Sequence, residues 1–206
     1  MELLLIAAAA YFLASSMKSK TKSNSSNGNT PVSEDYQTGG KYDFGAGAYP
    51  FSGAYEPGSS ASIALFESAL SQAGLPIEWA SEESLQALMS KESGGWVGRP
   101  NYTFGIASTS DRSLWPQVWA GLKAGEVWTK STATGLGQLI RSNVKLFYPS
   151  GYDGIGVPTE EAVGFVRYIY DRYGDPDTAL AMHGSTGEYI NTRTGETVNK
   201  TFKEGY

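Results

Sequence analysis

From Ser59 to Met182 the apolar residues recur at the three- and four-residue spacing of an α-helix, and strand-like alternation is scarce. Ile63, Leu65, Phe66 and Leu70 form one stripe, which ends at Gly74. Ser81 is placed to cap a second helix, with Glu82 and Glu83 in the first turn, where the helix dipole favours acids. Leu85, Leu88 and Met89 line one side of that helix, Glu92 continues the stripe, and Gly94 and Gly95 stop it. Leu114, Trp115, Val118, Trp119 and Leu122 make a further stretch that stops near Gly125. Thr159 is expected to cap a longer one, whose Ala162, Val163, Val166, Ile169, Tyr170 and Tyr173 form a broad buried face before Gly174. Asp175-Pro176 reads as N-cap and first helical position of "DTALAMH". Only "EYINTRTGETVNKTF" looks strand-like, with Thr194-Gly195 placed to turn a small hairpin. Residues 59–206 therefore predict one mainly helical domain.

The chain upstream is of another kind. Leu3 to Met17, "LLLIAAAAYFLASSM", carries no charge. At about 1.5 Å per residue it is slightly short for a hydrocarbon core of about 30 Å, but Glu2 and Lys18 can snorkel outward. A signal peptide opens with basic residues, whereas here Glu2 comes first and Lys18, Lys20 and Lys22 come after the run. The expectation is an uncleaved single-pass anchor, residues 1–18, holding the chain to a lipid membrane. Residues 19–58 read as a Ser/Asn/Gly/Tyr-rich linker: residues 18–35 have almost no apolar side chains to offset ordering entropy. The Gly- and Tyr-rich segment 36–58 either continues the linker or drapes over the domain.

Composition removes several classes of chemistry. The 206 residues include no Cys and one His, so disulfides, thiol catalysis and a multi-histidine zinc site are excluded. Sixteen basic against twenty-one acidic residues give a net charge of −5, which argues against a broad nucleic-acid surface. HExxH, P-loop and GxSxG patterns are absent. Chemistry is left to carboxylates, hydroxyls and amides.

Glu92 is the carboxylate that stands out, because it ends an apolar stripe. Burial disfavours the ionised form and raises the pKa. A glutamic acid that keeps its proton near neutrality can donate it to a poor leaving oxygen, as glycosidic cleavage requires. A glutamate at a helix end also often points to solvent or bonds a loop N–H. Periodicity alone does not select between these readings.

Two further segments add to the case. "STATGLGQLI" (131–140) has a Gly-rich turn before an apolar run, and "DTALAMHGSTG" (177–187) ends a helix in a Gly-punctuated loop. With "ESGGW", they resemble the three signature segments of the soluble-type lytic transglycosylases, relatives of goose-type lysozyme. Glu92-Ser93 corresponds to the first, Gly135-Leu136-Gly137-Gln138 to the second, and Ala179-Leu180-Ala181 to the approach to the third. The resemblance covers roughly residues 80–187. It implies a lysozyme-like α+β fold, mainly helical, and cleavage of peptidoglycan glycan strands with no metal or cofactor. Glu92 would be the catalytic acid, and Ser93 would hold its carboxylate or a sugar substituent. Gln138 and the backbone at Gly135 would position the glycan.

The chain departs from that family at three places. The family's Tyr-Asn is Met182-His183 here, and either His183 or Tyr189 can stand in for the missing hydroxyl. The interval between Glu92 and Gln138 is longer than the family's. Gly137 replaces the family's Met. The longer interval is aromatic: all five Trp lie around Glu92, joined by Tyr102 and Phe104. Helical spacing assigns Trp115 and Trp119 to the core, whereas Trp96 and Tyr102, in loop-like sequence, are the better candidates to stack on sugar rings.

The implied reaction is non-hydrolytic and leaves 1,6-anhydro-muramic ends. A hydrolytic lysozyme of the same fold is the rival, with Asp111 or Asp153 as second carboxylate. An inactive glycan-binding membrane protein is the other. Lysines after the anchor put the domain on the inner side of a membrane. A bacteriophage virion with an internal membrane reconciles that orientation with wall cleavage. The alternative location is a bacterial inner membrane, with the domain facing the periplasm.

Overall fold

The computed structural model describes residues 53–101, 111–126 and 131–201. The expected anchor 1–18, most of the linker, and Tyr102 lie outside the described residues. Among the described residues no helix is long and apolar enough to cross a membrane.

The domain is mainly helical, as the periodicity predicts. Its order is α1 (Ser60–Ala73), α2 (Glu83–Glu92), α3 (Trp115–Ala124), α4 (Arg141–Phe147), α5 (Pro158–Arg172), α6 (Pro176–Met182), then strands β1 (Gly187–Ile190) and β2 (Thr197–Lys200). The strands pair antiparallel, Gly187 against Lys200 and Ile190 against Thr197, with Thr194-Gly195 in the connection. Gly195 takes the positive φ that this connection needs.

α5 is the spine. Ala162, Val163, Phe165, Val166 and Ile169 are fully buried, and α1, α4 and α6 all pack on it. Each of the Val, Phe and Ile side chains contributes about 1.5–3 kcal/mol on leaving water. α1 lays Leu65, Phe66, Ala69 and Leu70 on this spine, with the Phe66 and Phe165 rings 6.0 Å apart. Trp115 and Trp119 are buried, as their spacing predicts. Tyr170, assigned to the buried face, is instead exposed, with Trp79 packing 6.3 Å from its ring.

Two expected caps differ. Ser81 ends a short 3-10 turn, and α2 starts after Glu82 with no side-chain cap. Thr159 lies inside α5, whose first turn already begins at Pro158 after Val157. α5 starts on a proline, which has no N–H to cap, whereas the 3-10 turn carries Ser81 one residue too early and leaves extended Glu82 at the start of α2. Asp175 does cap α6, accepting from Thr178 N–H at 2.7 Å. α4 carries almost no periodic signal in the sequence: it has seven residues and one buried side chain, Val144.

The last residues assigned to the linker belong to the domain. Ala54 bridges to Trp96, Tyr55 N–H donates to Gly95 O at 2.8 Å, and Gly58 N–H donates to Gln86 Oε1 at 2.8 Å. Buried Gln86 also donates to Ala80 O, so one amide joins three segments.

Candidate active site

α2 and α6 pack together and bring two distant residues into contact. Leu85, Leu88 and Met89 have no exposed surface, and Glu92 continues their stripe to the helix end, its side chain only 10 % exposed. His183 follows the last turn of α6, and its Nε2 lies 2.8 Å from Glu92 Oε1. Lys200 on β2 stands behind them, buried, donating Nζ–H to Met182 O at 2.7 Å.

The electrostatics favour a neutral pair. Burial pushes the Glu92 carboxyl up to about 7, with the Lys200 charge pulling part of the way back. Its place at the C-terminus of α2 also disfavours an anion. His183 is shifted the other way, below its ordinary value, first by burial and then by Lys91 and Lys200. Both shifts act in one direction, toward a protonated carboxyl and an uncharged imidazole. When neutral His183 donates Nε2–H to Oε1, the acid proton sits on Oε2, ready for transfer. After transfer the same N–H stabilises the carboxylate. Tyr168 and Tyr173 lie close enough to feel the Glu92 charge; both hydroxyls are shifted upward, by burial first.

The other candidates have distinct placements. Ser93 does not hold the Glu92 carboxylate: its hydroxyl, fully buried, donates to Met89 O and accepts from Gly95 N–H, shaping the turn after the acid. Gln138 Nε2 donates to Arg99 O and Gly135 O, and Arg99 Nη1 donates to Ser93 O at 2.7 Å. Arg99 therefore ties the Gln138 turn to the residue that follows Glu92. Gly135, at φ 81°, donates N–H to the same Arg99 O. Trp96 is half-buried, edge-on to Trp115 and capped by the Arg112 guanidinium 4.5 Å from its ring centre. Tyr189, the alternative to His183, donates its hydroxyl to Arg172 O and packs on Tyr173. Asp111 binds Ser113, and exposed Asp153 pairs with Lys123 at 3.0 Å.

One buried acid has no signal in the sequence. Glu161, fully buried on α5, accepts from the backbone N–H groups of Gly98, Leu136 and Gly156. Beside Glu160 in a first helical turn it reads as a solvated acid favoured by the helix dipole, and nothing in the spacing separates the two.

No protein-family model, no curated protein and no solved structure matches the chain.

Proposed function

We propose that this domain is lysozyme-like and cleaves peptidoglycan glycan strands as a lytic transglycosylase. The observation that carries the reading is the Glu92–His183 pair: a nearly enclosed acid, pushed up to about 7 by burial, with His183 Nε2 2.8 Å from one oxygen and the imidazole shifted below its ordinary value. Glu92 gives its proton to the bridging oxygen as the bond from muramic C1 breaks. The resulting carboxylate takes the proton of the muramic 6-hydroxyl as that oxygen bonds to C1, closing the 1,6-anhydro ring. The proton count returns to its start, and water is not consumed. His183 takes the part of the family's tyrosine hydroxyl by holding Oε1 in both stages.

The lyase reading needs no second carboxylate, whereas a hydrolase would use Asp111, which binds Ser113, or Asp153, which pairs with Lys123. Mass spectrometry of digested sacculi tests it. Anhydro-muramic ends support the lyase, reducing ends indicate the hydrolase, and intact sacculi indicate a glycan-binding protein. The location proposed with this activity is a membrane, through residues 3–17, in a virion with an internal membrane. Protease protection of the domain in vesicles tests that orientation.

A further inference from the structure

Glu161 takes no part in the proton transfers above, yet three separated stretches of chain converge on it. Gly98 N–H reaches both carboxylate oxygens, at 2.9 and 3.0 Å. Gly156 N–H reaches Oε1 at 2.7 Å, and Leu136 N–H reaches Oε2 at 2.9 Å. The donors are all main chain, so the bonds fix backbone positions directly. Gly98 lies in the segment that follows Glu92, and its carbonyl is held in turn by Trp119 Nε1–H at 2.7 Å. Leu136 lies in the turn that carries Gln138. Neighbouring glycines permit the approach: a Cβ on Gly98 would strike the Trp119 ring, and one on Gly135 would meet Glu161 Oε2 at 2.7 Å and the Tyr148 hydroxyl at 2.5 Å.

We infer that Glu161 is a positioning residue for the acid catalysis, its ionised carboxylate fixing the segment after Glu92 against the Gln138 turn. The inference rests on the reading of Glu92 as the acid. Only the anion can accept all these contacts. A proton on Oε2 opposes Leu136 N–H, and one on Oε1 opposes Gly156 N–H. The titratable group beside Glu161 from a neighbouring element is the Tyr148 hydroxyl, after α4; Glu160 turns away to Ser150. Burial lifts Glu161 to about 7, with the Gly98, Gly156 and Leu136 N–H groups drawing it down. The two glutamates need opposite protonation states, so Glu161 sets the acid limb of the rate and Glu92 the alkaline limb, and with both near 7 the optimum is narrow.

The test is 1H–15N NMR of the full-length chain between pH 5 and 9, with turnover of sacculi measured over the same range. The Gly98, Leu136 and Gly156 amide resonances are expected to shift together along one titration curve, which disappears in Glu161→Gln. Turnover of Glu161→Gln is expected to fall at least ~10-fold. It loses the acid limb and keeps the alkaline one, and Glu161→Asp recovers part of the rate. Should Glu161→Gln fail to fold, the titration of the unaltered chain decides. Amides that move independently overturn the inference, as does a folded Glu161→Gln protein with full turnover and an unchanged acid limb. If the unaltered chain releases nothing from sacculi, the lyase reading falls, while the amide curves still judge the clamp.

Discussion

His183 Nε2 and Glu92 Oε1 meet at 2.8 Å although 91 residues separate them in the chain. Each comes from the terminus of its helix, α2 or α6, so the contact is only as well defined as the packing of those two helices.

Removing the acid proton should stop the reaction. Glu92→Gln keeps the shape and the bond to His183, but its amide cannot serve as an acid. Release of anhydro-muropeptides should fall by a factor of roughly 10²–10⁴. Residual clearing of the wall at the original rate would exclude Glu92 from the chemistry.

The same substitution changes stability in a pH-dependent way. The folded carboxyl titrates at about 7, above its ordinary 4.5, so the folded state binds the proton more tightly. The resulting stability is full below about pH 4.5 and is lost as pH rises through 7, by up to about 3 kcal/mol. Thermal melts from pH 4.5 to 8 should therefore slope downward less for Glu92→Gln than for the unaltered protein.

His183 is expected to act on Glu92 rather than on the glycan. His183→Ala removes an N–H that stabilises the carboxylate, so the alkaline limb of kcat should move to higher pH while kcat falls roughly tenfold or more. KM should change little. His183→Tyr, which supplies a hydroxyl, should retain more rate than His183→Ala.

α6 delivers His183, and Asp175 holds its start. Oδ1 accepts from Thr178 N–H at 2.7 Å, and Oδ2 accepts from Thr192 Oγ1 at 2.6 Å. Asp175→Ala should cost about 1–2 kcal/mol in urea unfolding, and lower turnover as well, since the cap and the hairpin connection loosen together.

Gly135 separates crowding from backbone strain. Gly135 and Gly195 both hold positive φ, 81° and 72°. A methyl at Gly195 meets open space, whereas one at Gly135 meets Tyr148 and Glu161. Gly195→Ala should cost about 1–2 kcal/mol, and Gly135→Ala roughly 2 kcal/mol more. Equal melting temperatures would contradict this crowding.

The features legible in the sequence were those written in local periodicity. The stripe Leu85–Leu88–Met89–Glu92 announced a buried face with an acid at its end, and Asp175-Pro176 announced the start of the helix that carries His183. Gly-rich punctuation located the hairpin. What stayed hidden depends on distant chain. The choice between His183 and Tyr189 is made by where α6 and β1 lie against α5, not by their neighbours in sequence. Glu160 and Glu161 are chemically identical neighbours, and only the fold sends one to Ser150 at the surface and the other into a ring of amides. A serine beside an acid suggests contact with it, whereas in the fold the turn behind Ser93 engages the hydroxyl.

Gly95 sits beneath Tyr55 so tightly that any Cβ there would collide with the Tyr55 carbonyl. Gly53 O, Ala54 and Tyr55 N are laced along Val97, Trp96 and Gly95. Mechanical load entering the domain at Gly53 therefore arrives three to five residues past Glu92, before it reaches any helix. Displacement of residues 53–55 is passed to the turn that directly follows Glu92, and through it to the end of α2.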